Sequence, residues 1–196
     1  MLLLGIAIGV TAQVTAVEMN VKASKEARKE AKRFKKEKWQ SPPGGMSIER
    51  QLDRYYLLEY DTDLETGQSN YAFGYSIATG QFYAAAKVQA SELAKGDLID
   101  KLHTEITREV TAVVKNKQLT EELAQSVAGI VDKSKSITIQ SLNNLEPVLE
   151  LYRKLKNGNV EVLVRYAYKR SKARNDTFRY VAEEARNQGI DLELVQ

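Results

Sequence analysis

Residues 147–168, PVLELYRKLKNGNVEVLVRYAY, decide the fold of this chain. The dipeptide Asn157-Gly158 divides them into two apolar-rich runs. An Asn-Gly pair in this position is typical of a two-residue type I′ turn, in which both central residues have φ > 0. Such a turn sets Lys156 opposite Asn159 and fixes every later pair. The segment therefore predicts an antiparallel hairpin with a defined register.

In that register the two faces of the hairpin differ in polarity. One face, interrupted only by Arg153, collects the apolar side chains of Leu149, Leu151, Leu155, Val160, Val162, Val164 and Tyr166. The other face pairs opposite charges across the strands, Lys154 with Glu161 and Glu150 with Arg165. A slip of one residue would destroy both patterns, because side chains alternate between faces. We therefore expect one buried face and one mostly solvent-exposed face.

Three segments before the hairpin predict further elements. Residues 52–60 (LDRYYLLEY) are rich in aromatic and branched side chains and indicate a strand or a helix-to-strand segment. Residues 61–67 indicate a turn, and residues 71–78 (YAFGYSIA) indicate a strand. With the hairpin, these segments predict a small, mostly antiparallel sheet.

Residues 81–95 (QFYAAAKVQASELAK) predict a helix whose Ala-rich face would let a sheet approach closely. That face is expected to carry Phe82, Ala85 or Ala86, Ala90 and Leu93. Helical spacing continues beyond it, but residues 104–114 are rich in β-branched side chains, which prefer strands. We place the helix end at about Thr104 and leave open whether 104–114 is helix or strand. A helical stripe returns with Leu119, Leu123, Val127, Ile130 and Val131.

The last predicted element is a helix over residues 176–187, with Asn175 or Asp176 as its N-cap and Gly189 as its stop. Its apolar side carries Phe178, Val181, Ala182 and Ala185. We expect this helix to cover the sheet. The fold class is therefore α+β: a single domain over residues 48–196, in which the Ala-rich and C-terminal helices cover the sheet, plus an N-terminal basic helix.

The basic helix is predicted from residues 22–38, which hold nine Lys/Arg against three Glu, while the whole chain has a net charge of +3. Ala23, Ala27, Ala31 and Phe34 form a thin stripe at helical period. Because alanine buries little area, we expect a lightly packed or projecting arm over residues 17–40. The Pro/Gly-rich residues 41–47 are expected to be a hinge.

This charge run has two interpretations. It is a solvated helical face, or it binds an anionic partner such as membrane headgroups or an anionic polymer. The candidate anionic-partner surface consists of Lys22, Lys25, Arg28, Lys29, Lys32, Arg33, Lys35 and Lys36. If the segment packs as a structural brace, we expect it to be a component of the fold and not an anionic-polymer binding surface.

The first residues, MLLLGIAIGVTAQVTAV, resemble a secretory signal peptide. Their apolar run, residues 2–10, is far shorter than the roughly 20 residues that span a bilayer. Small residues at 10–12 and 14–16 predict cleavage before Gln13 or Val17, so we assign residues 1–16 as the signal; a buried terminal helix or strand is the alternative. With no cysteine, the chain offers no disulfide, no thiolate and no acceptor for a lipid anchor.

Several motifs together resemble a known family. They are Tyr71-x-x-Gly74-x-Ser76, Glu92-Leu93-Ala94, residues 162–168 (VLVRYAY), the link formed by Trp39, Pro42, Pro43 and Gly44, and residues 51–54 (QLDR). The chain thus resembles the exported lipoprotein family that includes the Lpp-twenty antigen and outer-membrane flagellar-disk proteins, and is most similar to secreted members from Gram-negative gut bacteria. The resemblance implies an α+β domain at the cell envelope, without catalytic residues or a cofactor. The lipidated cysteine of typical members is absent here.

The motifs that could carry catalysis are weak. Ser76 follows Gly74 in a nucleophile-elbow context, but the final Gly of that motif is Ala78 and no βαβ succession supports a hydrolase sheet. The one histidine, His103, is interpreted as a half-exposed residue at a helix end. An acidic turn over residues 61–65 lacks the Gly and Glu of a calcium loop. There is no phosphate-binding glycine motif.

We therefore expect a non-enzymatic protein without cofactor or metal, periplasmic or secreted and possibly associated with the outer membrane. It would act through contact with an envelope protein or by self-assembly. Binding an anionic polymer or membrane surface through residues 22–38 is the alternative function. No specific nucleic acid and no transmembrane span are expected.

Overall fold

The computed structural model describes residues 7–142 and 145–194. The elements of the described chain are α1 Ala7–Lys36, α2 Ile48–Tyr60, β1 Tyr71–Gly80, α3 Tyr83–Asn116, α4 Glu121–Leu142, β2 Leu149–Lys154, β3 Val160–Lys169 and α5 Arg170–Asn187. The strands form one antiparallel sheet in the order β1-β3-β2. The predicted α+β class is confirmed. The predicted signal segment lies partly outside the described residues, and from Ala7 onward its backbone belongs to α1.

Helices cover both faces of the sheet, so each face is buried against a separate apolar cluster. On one face α3 packs against Val160, Val162, Val164, Tyr166 and Tyr168 of β3, and this cluster extends into α4 and α5. On the other face α1 and α2 pack against Leu149, Leu151 and Leu163. The prediction of one mostly solvent-exposed hairpin face is wrong, because the second face is the platform on which α1 lies.

The hairpin exists, but its predicted register is wrong by one residue. Leu149 lies opposite Arg165, and Leu155 donates its N–H to the carbonyl of Asn159 (2.8 Å). Within the hairpin loop, only Gly158 has a left-handed φ, +86°. The loop is therefore a three-residue type, a turn followed by a glycine in the left-handed region, and not a two-residue type I′ turn.

This shift changes the cross-strand ion pairs. Arg153 now lies opposite Glu161 and donates to it at 2.6 Å, in place of the predicted Lys154–Glu161 pair. Arg165 faces α1 rather than Glu150. The leucines of β2 and the valines of β3, predicted on one face, lie on opposite faces.

Residues 52–60 belong to α2, which corrects the strand interpretation. The N-cap Ser47 accepts a hydrogen bond from the N–H of Arg50 (3.4 Å). Leu52, Tyr56 and Tyr60 recur every four residues, and the last two rings stack with centroids 5.9 Å apart. The helical period, not the β propensity of the tyrosines, decides this element because the residues can bury one face.

Helix α3 continues to Asn116, so the predicted end at Thr104 is wrong. Its buried stripe repeats every four residues: Ala86, Ala90, Ala94, Leu98, Leu102, Ile106 and Val110. The β-branched Thr104, Thr107 and Thr111 bond their hydroxyls to carbonyls four residues earlier (2.7 Å each), which accommodates them in a helix. Phe82 and Leu93, predicted on the buried face, are exposed.

Helix α5 starts at Arg170, six residues before the predicted start, and ends near Gly189, which has a φ of +75°. It packs mainly on α4 and not across the sheet as expected. Phe178, Val181 and Ala185 enter the cluster that α3 and α4 share. The C-terminal helix therefore completes a helical layer instead of covering strands.

The basic arm is not lightly packed. Ala23, Ala27, Ala31 and Phe34 are almost completely buried. Beyond the helix, Gln40 and Tyr152 of β2 exchange backbone hydrogen bonds of 2.8 and 2.9 Å. The segment predicted as an arm is a brace, because its alanine side packs closely on α2 and joins the apolar cluster that holds the leucines of the sheet.

The segment predicted as a hinge is held by one buried side chain. The amide of Gln51 donates to Ser41 Oγ (3.2 Å) and to the carbonyl of Met46 (2.8 Å), while its Oε1 accepts the N–H of Glu150 (2.7 Å). Gln51 thus joins residues 41–47, α2 and β2. The arm and the α+β domain form one packed body.

Candidate functional site

The exposed side of α1 carries a row of cations that we call the basic stripe. It consists of Lys25, Arg28, Lys29, Lys32 and Lys36, all exposed. At 100° per residue these five fall within an arc of about 100°, on the side of the helix opposite the buried alanines. They extend over 12 residues, from Lys25 to Lys36, or about 16 Å of helix. Burial of one side of α1 therefore leaves the other side strongly positive.

The other three residues of the predicted anionic-partner surface are engaged within the protein. The ammonium of Lys22 lies 4.4 Å from the centroid of the Tyr60 ring. Arg33 donates to Glu30 at 2.6 Å. Lys35 pairs with Glu49 on α2 and holds the pKa of that carboxyl below its usual value, chiefly through their hydrogen bond. The structure thus divides the eight predicted residues into three fixed ones and the basic stripe.

Few carboxylates neutralise the basic stripe. Lys29 lies 3.9 Å from Glu26, but it is largely exposed, and such pairs contribute little. Arg28 donates its Nε–H to the carbonyl of Ser24 (2.9 Å), so no carboxylate pairs with the charge of this guanidinium among the described residues. Among described residues, Lys25, Lys32 and Lys36 form no ion pair. The stripe can bind anions but offers no nucleophile or base.

A buried ion pair fixes α1 on the sheet. Arg165 of β3 donates Nη2 and Nη1 to the two carboxylate oxygens of Glu30 at 3.0 and 3.3 Å, and both side chains are 14% exposed or less. Tyr56 donates its hydroxyl to Glu30 at 3.0 Å, and the guanidinium lies 4.6 Å from the Tyr55 ring. This cluster orients the helix and therefore aims the basic stripe outward.

The same cluster raises the pKa values of Arg165, Tyr55 and Tyr56. Burial alone would lower the pKa of Arg165, but hydrogen bonds to the Glu30 carboxylate raise it. Burial also raises the pKa values of Tyr55 and Tyr56, so both hydroxyls stay neutral donors. The cluster is a charged anchor inside the fold and not a reactive centre.

A cavity of about 670 Å³ lies between the loop 63–70, the middle of α3 and the start of α5. Its arginines are mostly neutralised: Arg170 pairs with Glu105, and Arg174 pairs with Glu109 at 2.6 Å. Only Arg108 has no partner among the described residues. Ligand cavities are usually lined by apolar groups with a few polar ones, and this cavity is lined mainly by charged and polar side chains. It is a weaker candidate than the basic stripe.

The candidate catalytic and metal-binding residues do not form one site. Ser76 sits in the middle of β1, opposite Val164. His103 lies within α3 and not at a helix end; its buried Nδ1 has no hydrogen-bond partner in the described chain, and Nε2 is 4.0 Å from Asp132. Asp63 caps its own turn by accepting the N–H groups of Glu65 and Thr66. No cluster of three metal-ligating side chains occurs in residues 7–142 and 145–194.

Comparison with protein-family models, with curated proteins and with solved structures gave no match to this chain. The resemblance to the Lpp-twenty family, and the envelope location that it implies, therefore stay predictions. Within the described ranges, no helix has the length and hydropathy needed to cross a membrane.

Proposed function

We propose that this protein is a non-catalytic binding protein of the cell envelope, and that the basic stripe of α1 contacts a phosphate-bearing anionic surface. One observation carries the proposal: five exposed cations share one side of a helix whose opposite side is buried. Export follows from the signal-like first residues and is part of the same proposal.

The packing of α1 supports binding as well as folding. A brace was expected to count against an anionic partner, but the buried contacts use only the alanine side and Phe34. Because the helix is already ordered by the sheet, binding need not order it. Five lysine and arginine side chains near an anionic surface contribute about 1 kcal/mol each at low ionic strength. We therefore expect weak, strongly salt-dependent binding.

The test uses the full chain with vesicles of phosphatidylcholine, with and without phosphatidylglycerol. Cosedimentation is expected with the anionic vesicles only, and it should be lost between about 50 and 200 mM salt. A second arm replaces vesicles by inorganic polyphosphate. Binding to polyphosphate without vesicle binding would assign the stripe to a soluble polymer, and binding to neither would overturn the proposal.

Matched variants separate the stripe from net charge. The stripe variant replaces Lys25, Arg28, Lys29 and Lys32 by Gln. The control replaces Lys115, Lys133, Lys154 and Lys156 by Gln, four exposed lysines that form no ion pair in the described chain. Only the stripe variant should lose binding. Equal losses in both would show that total charge, and not this surface, attracts the partner.

A second candidate function is self-assembly, which the sequence also predicted. It is favoured by a different feature, the incompletely blocked edge of β1.

A further inference from the structure

Strand β1 forms one edge of the sheet, and its first half is blocked by polar side chains. The outward N–H of Tyr75 donates to Asp97 Oδ2 (3.0 Å), and the outward carbonyl of Phe73 accepts Lys101 Nζ (2.9 Å). Asp97 and Lys101 also pair with each other at 2.7 Å. Charged groups at an edge strand discourage pairing with another chain.

The second half of β1 lacks such groups. In an antiparallel ladder, alternate residues direct their backbone groups to the paired side and to the free side. Because Phe73 and Tyr75 point outward, Ile77 and Thr79 do so as well. Within the described residues, the N–H and C=O of Ile77 and Thr79 have no other hydrogen-bond partner. Two donors and two acceptors are therefore free.

Apolar side chains flank this free segment. Ile77 is 40% exposed and Phe82, directly after the strand, is 60% exposed. Leu93, 54% exposed, lies one turn before Asp97 and so on the side of α3 that faces the edge. The position that would hold a blocking charge beside Ile77 is thus occupied by a leucine.

We propose that β1 pairs antiparallel with β1 of a second copy about a two-fold axis at Ala78, which extends the sheet to six strands. Ile77 of each copy then lies opposite Thr79 of the other. Every free group finds a partner, because each Ile77 N–H meets a Thr79 C=O and each Thr79 N–H meets an Ile77 C=O.

This register also preserves the existing contacts. A two-fold axis at Ile77 would set Thr79 of the second copy against the Tyr75 N–H that Asp97 already occupies. With the axis at Ala78, the four new hydrogen bonds end before Tyr75, and the Asp97–Lys101 pair stays in place. Ile77 and Thr79 are both β-branched and share one face, which suits a cross-strand pair.

The absence of cysteine from the chain allows a direct test by cross-linking. Opposed residues in a hydrogen-bonded antiparallel pair have Cα atoms about 5.5 Å apart, within disulfide range. Under mild oxidation, a mixture of Ile77→Cys and Thr79→Cys full chains should give the mixed disulfide dimer. Each variant alone should give little dimer, because its own cysteines would be more than about 7 Å apart.

Control variants guard against cross-linking by random collision. Val88→Cys, at an exposed residue on the solvent side of α3, should not cross-link with either partner. In sedimentation equilibrium of the cysteine-free chain, Ile77→Lys should abolish the dimer and Val88→Lys should leave it unchanged. Cross-linking of Ile77→Cys with itself, failure of the mixed pair, or an equal effect of both lysine variants would overturn the proposal.

Discussion

Helices α1 and α3 lie on opposite faces of the sheet, and each uses a row of alanines four residues apart. On α3 the alanines meet glycines: a Cβ added to Gly74 would lie 2.1 Å from the carbonyl oxygen of Ala94, and one added to Gly80 would lie 2.7 Å from the N atom of Ala86. On α1 they allow a close approach to α2, and Ala27 and Ala31 belong to the cluster that holds the leucines of β2 and β3. The same sequence signal therefore produces two different contacts, depending on which element lies opposite.

The two contacts also differ in how they are specified. The α3 contact is close and its centre is apolar, so the steric fit of alanines against glycines sets its spacing. The α1 contact is wider and holds the buried Glu30–Arg165 pair with Tyr56, so hydrogen-bond geometry fixes its position. Substitutions that remove side-chain groups should therefore be most destabilising on the α1 side. Substitutions that add a methyl group should be most destabilising on the α3 side.

The largest effect is expected from deleting residues 1–40. This change would expose Leu149, Leu151 and Leu163, and three leucines alone correspond to about 5 kcal/mol of burial. We expect the shortened chain not to fold, as measured by circular dichroism and limited proteolysis. Deleting residues 1–16, the predicted signal, is the control and should leave a cooperative transition. A protease-resistant fragment starting near Ser47 would contradict the role of α1 as a brace.

Adding one methyl group should break the α3 side. Gly74→Ala forces a Cβ into the backbone of α3, and we expect a loss of about 3 kcal/mol in the free energy of unfolding. Gly96→Ala is the control, because Gly96 lies on α3 with no atom near its Cβ position. This substitution should stabilise the protein by about 0.5 kcal/mol. Urea unfolding of both variants measures the difference. A neutral Gly74→Ala would mean that the sheet and α3 are not in close contact.

Removing a charge should weaken the α1 side. Arg165→Met leaves the Glu30 carboxylate buried, but Arg33 and Tyr56 still donate hydrogen bonds to it. We therefore expect the free energy of unfolding to fall by about 2 kcal/mol. Arg179→Met removes an exposed arginine paired with Asp176 and should change the midpoint of thermal unfolding very little. Similar effects for the two arginines would show that the buried pair does not position α1.

The elements that sequence periodicity predicted are those with one clear buried face. The Ala-rich helix, the β1 strand and the hairpin follow from local patterns. The packed position of α1 did not, because alanines bury area only where another element approaches closely. The surface that covers them is formed by α2, which was interpreted as a strand, and by a leucine face that exists only in the observed register. For the same reason the Glu30–Arg165 pair was missed. An acid beside an alanine stripe and an arginine within an apolar strand are its only signals.

The candidate site was predicted in part. The charge run shows where cations lie along the chain, and the helical period separates their side from the alanine side. Which cations stay free depends on partners distant in sequence: Lys35 meets Glu49 and Lys22 meets Tyr60 on α2. The strand interpretation of α2 concealed both contacts.

The smallest predicted effect concerns the hairpin loop, on which the division of leucines and valines between the two faces depends. An Asn-Gly pair fits a type I′ turn, which needs φ > 0 at both residues, and equally the observed loop, which needs it only at Gly158. Gly158→Val should therefore lower stability by about 1 kcal/mol, since a β-branched residue resists φ > 0. Asn157→Ala removes only an exposed hydrogen bond from the N–H of Asn159 to Oδ1 (3.1 Å) and should cost about 0.5 kcal/mol or less. Urea unfolding of the two variants compares them directly. Equal losses would indicate that Asn157 is also left-handed and that the turn has two residues. That turn would impose the register that places leucines and valines on one face, and α1 would then lack the leucine face on which it packs.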